Sequence, residues 1–153
     1  MEIDEYLQKL ENELLDDDNF QEIGLTKDWS LTIPPVAGVY ILKDRDKIVY
    51  VGETGNLRAR MRDFLDSRQH SVRRTLGKNL FSEHHGFIQA TTSLKFSHEV
   101  EVSLNNYIKG NYKLAFKEIT LGRKELEERI EKLIDLEVKL NKRGKRKNTI
   151  KNI

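Results

Sequence analysis

The chain has 153 residues, of which 37% are hydrophobic and 34% charged, with a formal net charge of +2. This length suits one domain, and no apolar run approaches the roughly 20 residues that a membrane-spanning helix needs. The absence of cysteine excludes disulfides, a thiolate nucleophile and a cysteine zinc site. Because the N-terminus lacks the basic and apolar regions of a secretory signal, we expect a cytoplasmic protein.

The charge is unevenly distributed along the chain. Residues 1–30 hold ten acidic and two basic residues, whereas residues 139–153 hold seven basic residues and no acidic one. A basic body with a basic tail is typical of a polyanion binder, although a solvated terminus is the common alternative. The pattern therefore favours contact between the tail and nucleic acid. The acidic N-terminal segment would fold back on the protein or dock a protein partner or second copy.

The first elements divide the chain into segments. Apolar residues three and four apart predict a helix over residues 2–15. A loop through Trp29 follows, and Pro34 and Pro35 fix an extended backbone at the entry to the main domain. The predicted division is an acidic helix and loop packing on the core at 1–33, a main domain at 34–141 and a basic tail at 142–153.

The main domain begins with a predicted β-hairpin. Two β-branched and aromatic runs, 39–42 and 48–51, flank a polar segment of hairpin length. Residues 94–109 partly alternate as a strand would, but their apolar spacing fits a helix from Ser97 better. The other predicted elements are helices from Asn56 to about 66, from Ser71 to Leu80 and from Arg123 to about 138, and a third strand at 114–119. These elements predict a small mixed α/β (α+β) fold with a mainly antiparallel three-stranded sheet flanked by helices and an extra N-terminal helix.

Two tripeptides, Gly38-Val39-Tyr40 and Tyr50-Val51-Gly52, close the hairpin and place both tyrosine rings in one region of a sheet face. Alone, the two tripeptides are equally typical of ordinary strands, with two half-buried tyrosines, Gly38 as a strand entry and Gly52 as a bulge or exit. However, Asn56-Leu57 and an arginine ten positions after Tyr50, Arg60, follow in register. Together these residues resemble the GIY-YIG nuclease family, which includes homing and restriction endonucleases and the N-terminal domain of an excision-repair nuclease. The resemblance is close over residues 38–60 and extends in outline to Asn141.

The resemblance implies hydrolysis of a DNA phosphodiester, which needs an activated water and neutralised charge on the phosphate. It assigns the role of general base to Tyr40, whose pKa, normally near 10, a neighbouring cation would pull down. Tyr50 would orient water or phosphate, and Arg60 would offer a planar fork to phosphate oxygens. The alternative for Arg60 is one more exposed helix cation.

The resemblance also implies a glutamate that binds Mg²⁺ or Mn²⁺, on the predicted helix from Arg123. On that helix Leu126, Ile130, Leu133, Ile134 and Leu136 form one apolar arc. Glu127 lies at the margin of the arc, Glu131 comes second, and Glu128 lies nearly opposite it. A ligand beside a site on the sheet must project from the margin of the packed face, so we favour Glu127 as the metal ligand. One Glu with several waters is an ordinary way to hold Mg²⁺. Asn141 lies slightly too far along for the family spacing, and the alternative for these acids is solubility and i,i+4 pairing.

Two departures from the family pattern affect the predicted site. Phe64 stands where many relatives carry His or Tyr, and the usual Pro before the terminal Asn is missing. His70, on the following turn, is the candidate to replace the missing polar group, and a solvated surface histidine is the alternative. A catalytically weak nucleic-acid-binding module of the same fold is therefore the second hypothesis, and an interaction or phosphoryl-binding domain the third.

Surface cations on two successive helices are predicted to contact the backbone of duplex or branched DNA without reading its sequence. The candidate nucleic-acid-binding residues are Arg58, Arg62, Arg73, Arg74, Lys78 and Asn141.

Overall fold

A four-stranded antiparallel sheet with helices on both faces forms the protein in the computed structural model, which describes residues 2–141. The strand order is β1-β4-β2-β3, so β3 is an edge strand. The strands are β1 (Gln21–Glu22), β2 (Gly38–Asp44), β3 (Lys47–Thr54) and β4 (Tyr112–Glu118). The helices are α1 (Ile3–Leu15), α2 (Lys27–Ser30), α3 (Leu57–Asp63), α4 (Ser71–Phe81), α5 (His98–Asn111) and α6 (Arg123–Glu131). The predicted mixed α/β class is confirmed.

The sheet separates two hydrophobic clusters because side chains alternate between its faces. Val39 and Ile41 of β2 point to the face covered by α1 and α6, whereas Tyr40 and Leu42 point to the face covered by α3, α4 and α5. All these strand residues are buried, so β2 lies at the centre of the molecule. Tyr40 is thereby held in the interior between the sheet and helices that can bring further side chains to it.

Helix starts follow their capping residues. The Asn56 side chain accepts the Ala59 N–H at the start of α3, and the Ser97 side chain accepts the Val100 N–H at the start of α5. Helix α4 begins at Ser71, as predicted, and its cap is the preceding residue, His70, whose side chain accepts the Val72 N–H. None of the helices within residues 2–141 is long and apolar enough to cross a bilayer.

Three predictions about the elements need correction. The predicted loop after α1 contains the short strand β1, paired with β4, and the helix α2, so the sheet has four strands rather than three. Gly52 lies inside β3 and is neither a bulge nor a strand exit, since the register shift falls at Leu42 and Lys43. The last helix ends at Glu131 instead of about 138, which leaves two members of the predicted apolar arc, Leu133 and Leu136, exposed. The predicted tail at 142–153 lies outside the described residues.

Candidate active site

The hairpin places Tyr40 and Tyr50 on one face of the sheet. Tyr40 pairs with Gly52 and Leu42 pairs with Tyr50, so the two tyrosines are diagonal neighbours on adjacent strands. Their ring centroids lie 6.0 Å apart, as the spacing of the two tripeptides predicts.

Gly52 is required by the position of the Tyr40 ring. A Cβ atom at residue 52 would lie 2.6 Å from Cζ and 2.7 Å from the hydroxyl oxygen of Tyr40. The ring therefore crosses directly over the glycine, and any larger residue would displace the hydroxyl. This explains in steric terms why a glycine follows the second tyrosine two positions later.

Two donors converge on the Tyr40 hydroxyl. Arg60 Nε, from α3, donates to Tyr40 Oη over 3.3 Å, and His70 Nε2 lies 2.9 Å from the same oxygen. The Val72 N–H donates to His70 Nδ1 over 3.2 Å at the start of α4, so the neutral imidazole carries its proton on Nε2 and donates to Tyr40. Both acceptor positions of the hydroxyl are then occupied, and the proton of Tyr40 points away from Arg60 and His70.

His70 fills the place that Phe64 leaves without a polar group. Phe64 is fully buried, and its ring centroid lies 5.0 Å from that of His70. His70 is itself buried, so the alternative of a solvated surface histidine is wrong. The replacement follows from the cap of α4, which points the imidazole inward.

The pKa of His70 lies well below its usual 6.5 because burial disfavours the charged imidazolium, and Arg60, Arg74 and Arg73 add repulsion. His70 is therefore neutral near pH 7 and acts on Tyr40 as a hydrogen-bond donor without a charge.

The pKa of Tyr40 is raised well above 10, in the opposite direction to the one expected from a neighbouring cation. Burial of the phenol is the largest cause, and Tyr50 acts in the same direction. Arg60 lowers this pKa by its charge and its hydrogen bond, but burial outweighs it. The expectation of a depressed pKa is thus wrong for the protein alone, and Tyr40 carries its proton at neutral pH.

The shifted pKa of His70 predicts acid destabilisation. Since the folded-state pKa lies below the unfolded value, the unfolded chain binds more protons once the pH falls below about 6.5. Between pH 6.5 and 5 we expect the free energy of unfolding to fall by up to about 1.4 kcal/mol per pH unit from this group. The His70→Asn variant keeps a capping side chain and should lack this part of the slope in urea titrations. Identical pH slopes for the two proteins would contradict the prediction.

Glu127 lies at the outer edge of β3. Its side chain is only 7% exposed, and its Oε2 accepts the Glu53 N–H over 3.0 Å. Glu53 directly follows Gly52, over which the Tyr40 hydroxyl lies. Glu128 is exposed and Glu131 pairs with Lys139, so Glu127 is the carboxylate of the three that bonds to this edge. This is the placement that its position at the margin of the apolar arc predicts.

Asn141 covers the same edge of β3. Its side-chain amide donates to the Val51 carbonyl over 2.8 Å and accepts the Val51 N–H over 3.2 Å, as a neighbouring strand would. The Leu140 N–H donates to the Val49 carbonyl over 2.8 Å. The chain leaves α6 early to make these contacts, which accounts for the exposed Leu133 and Leu136.

The predicted basic residues are divided between the surface and the interior. Arg62 and Lys78 are exposed. Arg58 donates to the carbonyls of Ile33 and Leu31.

Arg73 was expected on the surface, and this is wrong. It is 1% exposed and donates to Glu101 Oε1 over 2.7 Å, to Ser67 Oγ and to the Phe64 carbonyl. A guanidinium enclosed in this way cannot reach a DNA backbone, so Arg73 is a structural residue of the α4–α5 contact.

Arg60 and His70 thus meet at the Tyr40 hydroxyl, and Glu127 bonds to the strand residue that follows Gly52. The family model described as the GIY-YIG catalytic domain matches residues 33–153, and the chain belongs to this family. No curated protein and no solved structure matches the chain.

Proposed function

We propose that this protein is a Mg²⁺- or Mn²⁺-dependent endonuclease that hydrolyses phosphodiester bonds of duplex or branched DNA. One observation carries the proposal: the hydroxyl of Tyr40 and the carboxylate of Glu127 lie against two consecutive residues of β3. The hydroxyl lies over Gly52, and the carboxylate accepts the N–H of the next residue, Glu53. A base and a metal ligand so placed can act on one scissile phosphate.

The donor set fits a hard, hydrated cation. Within residues 2–141 no cluster of three or more His, Cys, Asp or Glu side chains is placed to hold a metal ion. Mg²⁺ commonly keeps several waters and takes one or two carboxylates plus substrate phosphate, so a site built on Glu127 suits Mg²⁺ or Mn²⁺. When bound there, the ion would polarise the phosphate and neutralise the charge that develops on it.

Two neighbours of Tyr40 would stabilise its phenolate as the base, against the burial that raises its pKa. Arg60 and His70 both donate to Oη, and hydrogen bonds to the charged form stabilise it. Water would add to phosphorus and pass a proton to the phenolate, while the bond to the leaving deoxyribose oxygen breaks and that oxygen takes a proton from solvent water. Arg60 would also neutralise a phosphate oxygen, and Tyr50 would orient the phosphate or the water.

The binding surface would use exposed cations. Arg62 on α3 and Lys78 on α4 are exposed, and contacts from such residues to phosphates position DNA without reading its bases. We therefore expect specificity for DNA structure rather than for sequence.

The test of the proposal is metal-dependent nicking of supercoiled plasmid by the full chain. The Glu127→Gln variant should raise the Mn²⁺ concentration for half-maximal nicking by about 10- to 100-fold, since ligand charge sets the affinity of a carboxylate site. Glu128→Gln, one position along the same helix and exposed, is the matched control and should behave as the unchanged protein.

Three outcomes would count against the proposal in different ways. Equal metal dependence of the two variants would remove Glu127 from the metal site. Nicking that persists in the presence of a chelator would show that cleavage does not need a metal ion. Salt-sensitive DNA binding without any cleavage would favour the catalytically weak binding module, which the buried Phe64 in place of a polar residue allows.

A further inference from the structure

An ion pair between Arg123 and Glu53 lies beside Glu127, and neither partner stood out in the sequence. Arg123 Nε donates to Glu53 Oε1 over 3.2 Å, and the two side chains are 29% and 25% exposed. Glu53 follows Gly52 in the edge strand β3, and Arg123 is the first residue of α6. The pair thus joins the helix that carries Glu127 to the strand that carries Gly52.

Glu53 holds α6 at two points. Its backbone N–H donates to Glu127, and its carboxylate accepts from Arg123. Arg123 and Glu127 are four residues apart, so they lie one above the other on the same face of the helix. The two bonds from a single strand residue therefore fix both the height and the rotation of the first turn of α6.

Arg123 also connects the start of α6 to the loop before it. Gly122, in the left-handed region at φ 85°, precedes α6 and supplies no side-chain cap. The Arg123 guanidinium donates to the carbonyls of Ile119 and Thr120 in the β4–α6 loop. The same side chain thus connects the loop, the helix start and the strand edge.

We propose that Arg123 and Glu53 are positioning residues for metal binding, which hold the Glu127 carboxylate at the edge of β3. Arg123 also keeps the Glu53 carboxylate engaged in their ion pair, which would leave Glu127 to supply the ligand. This inference rests on the proposed function, since it assigns the metal to Glu127.

The test is Mn²⁺ binding to the full chain without DNA, measured by titration calorimetry. Glu53→Ala removes the carboxylate but keeps the backbone N–H, and we expect about tenfold weaker Mn²⁺ binding, the usual effect of losing a residue that orients a ligand. Adding Arg123→Ala to Glu53→Ala should weaken Mn²⁺ binding little further, because the two residues act as a unit. Arg123→Lys, which keeps the charge, should retain more affinity than Arg123→Ala.

The matched control is Glu11→Ala. Glu11 Oε1 accepts from another arginine of α6, Arg129, over 2.8 Å, and lies on α1. This change removes a comparable ion pair from the same helix, so thermal unfolding should respond to it while the Mn²⁺ affinity should not.

The outcomes separate the two proposals. If Glu127→Gln leaves Mn²⁺ binding intact, the metal site itself is misplaced. If Glu127→Gln abolishes binding but Glu53→Ala and Glu11→Ala bind Mn²⁺ alike, the positioning role alone is overturned. The positioning role is supported if Glu53→Ala binds Mn²⁺ more weakly than Glu11→Ala while the two variants unfold at the same temperature.

Discussion

Replacing Tyr40 with phenylalanine should lower the rate of plasmid nicking by about 10³-fold, within the range of a general base. The phenyl ring can occupy the same buried place over Gly52, so the variant should fold. It leaves Arg60 Nε and His70 Nε2 without their acceptor, which should cost about 1–3 kcal/mol of stability. The rate is measured with saturating Mn²⁺, below the unfolding temperature of the variant.

The pH dependence of nicking should identify the same group. Because burial raises the pKa of Tyr40 well above 10, its phenolate fraction should grow about tenfold per pH unit across the neutral range. The rate of the unchanged protein should therefore rise with pH up to the alkaline limit of stability. The residual rate of Tyr40→Phe should lack this rise.

Tyr107→Phe is the control for the loss of a tyrosine hydroxyl. Tyr107 donates to Asp44 Oδ2 over 2.8 Å at the hairpin end of the sheet, away from Gly52. This variant should keep the nicking rate and its pH profile. Equal rates for Tyr40→Phe and the unchanged protein would move the general base to another group.

Local signals in the sequence predicted most of the fold. The alternating runs of the hairpin and the caps at Asn56 and Ser97 act over a few residues, and the structure follows them. Strand β1 has two residues and exists because it pairs with β4, which no local pattern encodes. The end of α6 is likewise set at a distance, since the chain departs to bring Leu140 and Asn141 to β3.

The positions of the candidate site residues were predictable where motif spacing or helix geometry defines them. The register of Tyr40, Tyr50 and Arg60 is local, and the margin of the apolar arc places Glu127. The burial of Arg73 could not be predicted, because a charged residue is usually exposed and its partner Glu101 lies 28 positions along the chain. The rise in the pKa of Tyr40 could not be predicted either, because it depends on how deeply α3, α4 and α5 bury the ring.

Arg73→Met should lower the free energy of unfolding by about 3 kcal/mol, at the low end for breaking a buried ion pair because Glu101 retains some exposure. The change leaves the half-buried Glu101 carboxylate without its cation. Urea titration at pH 7 measures the loss. Arg74→Met, at the next and half-buried position of α4, should cost less than about 1 kcal/mol. Equal losses in the two variants would contradict the structural assignment of Arg73.

A double variant separates the lost pair from the stranded charge. Adding Glu101→Gln to Arg73→Met removes the unpaired carboxylate, yet an amide oxygen can still accept from the Phe96 N–H, as Glu101 Oε2 does over 3.0 Å. We expect the double variant to recover part of the stability, because the two effects are coupled. If the stability effects of the two substitutions simply add, desolvation of Glu101 is not the dominant cost of Arg73→Met. Arg73 also donates to Ser67 and to the Phe64 carbonyl, in the segment that leads to His70, so we expect Arg73→Met to loosen the placement of the histidine on Tyr40 as well.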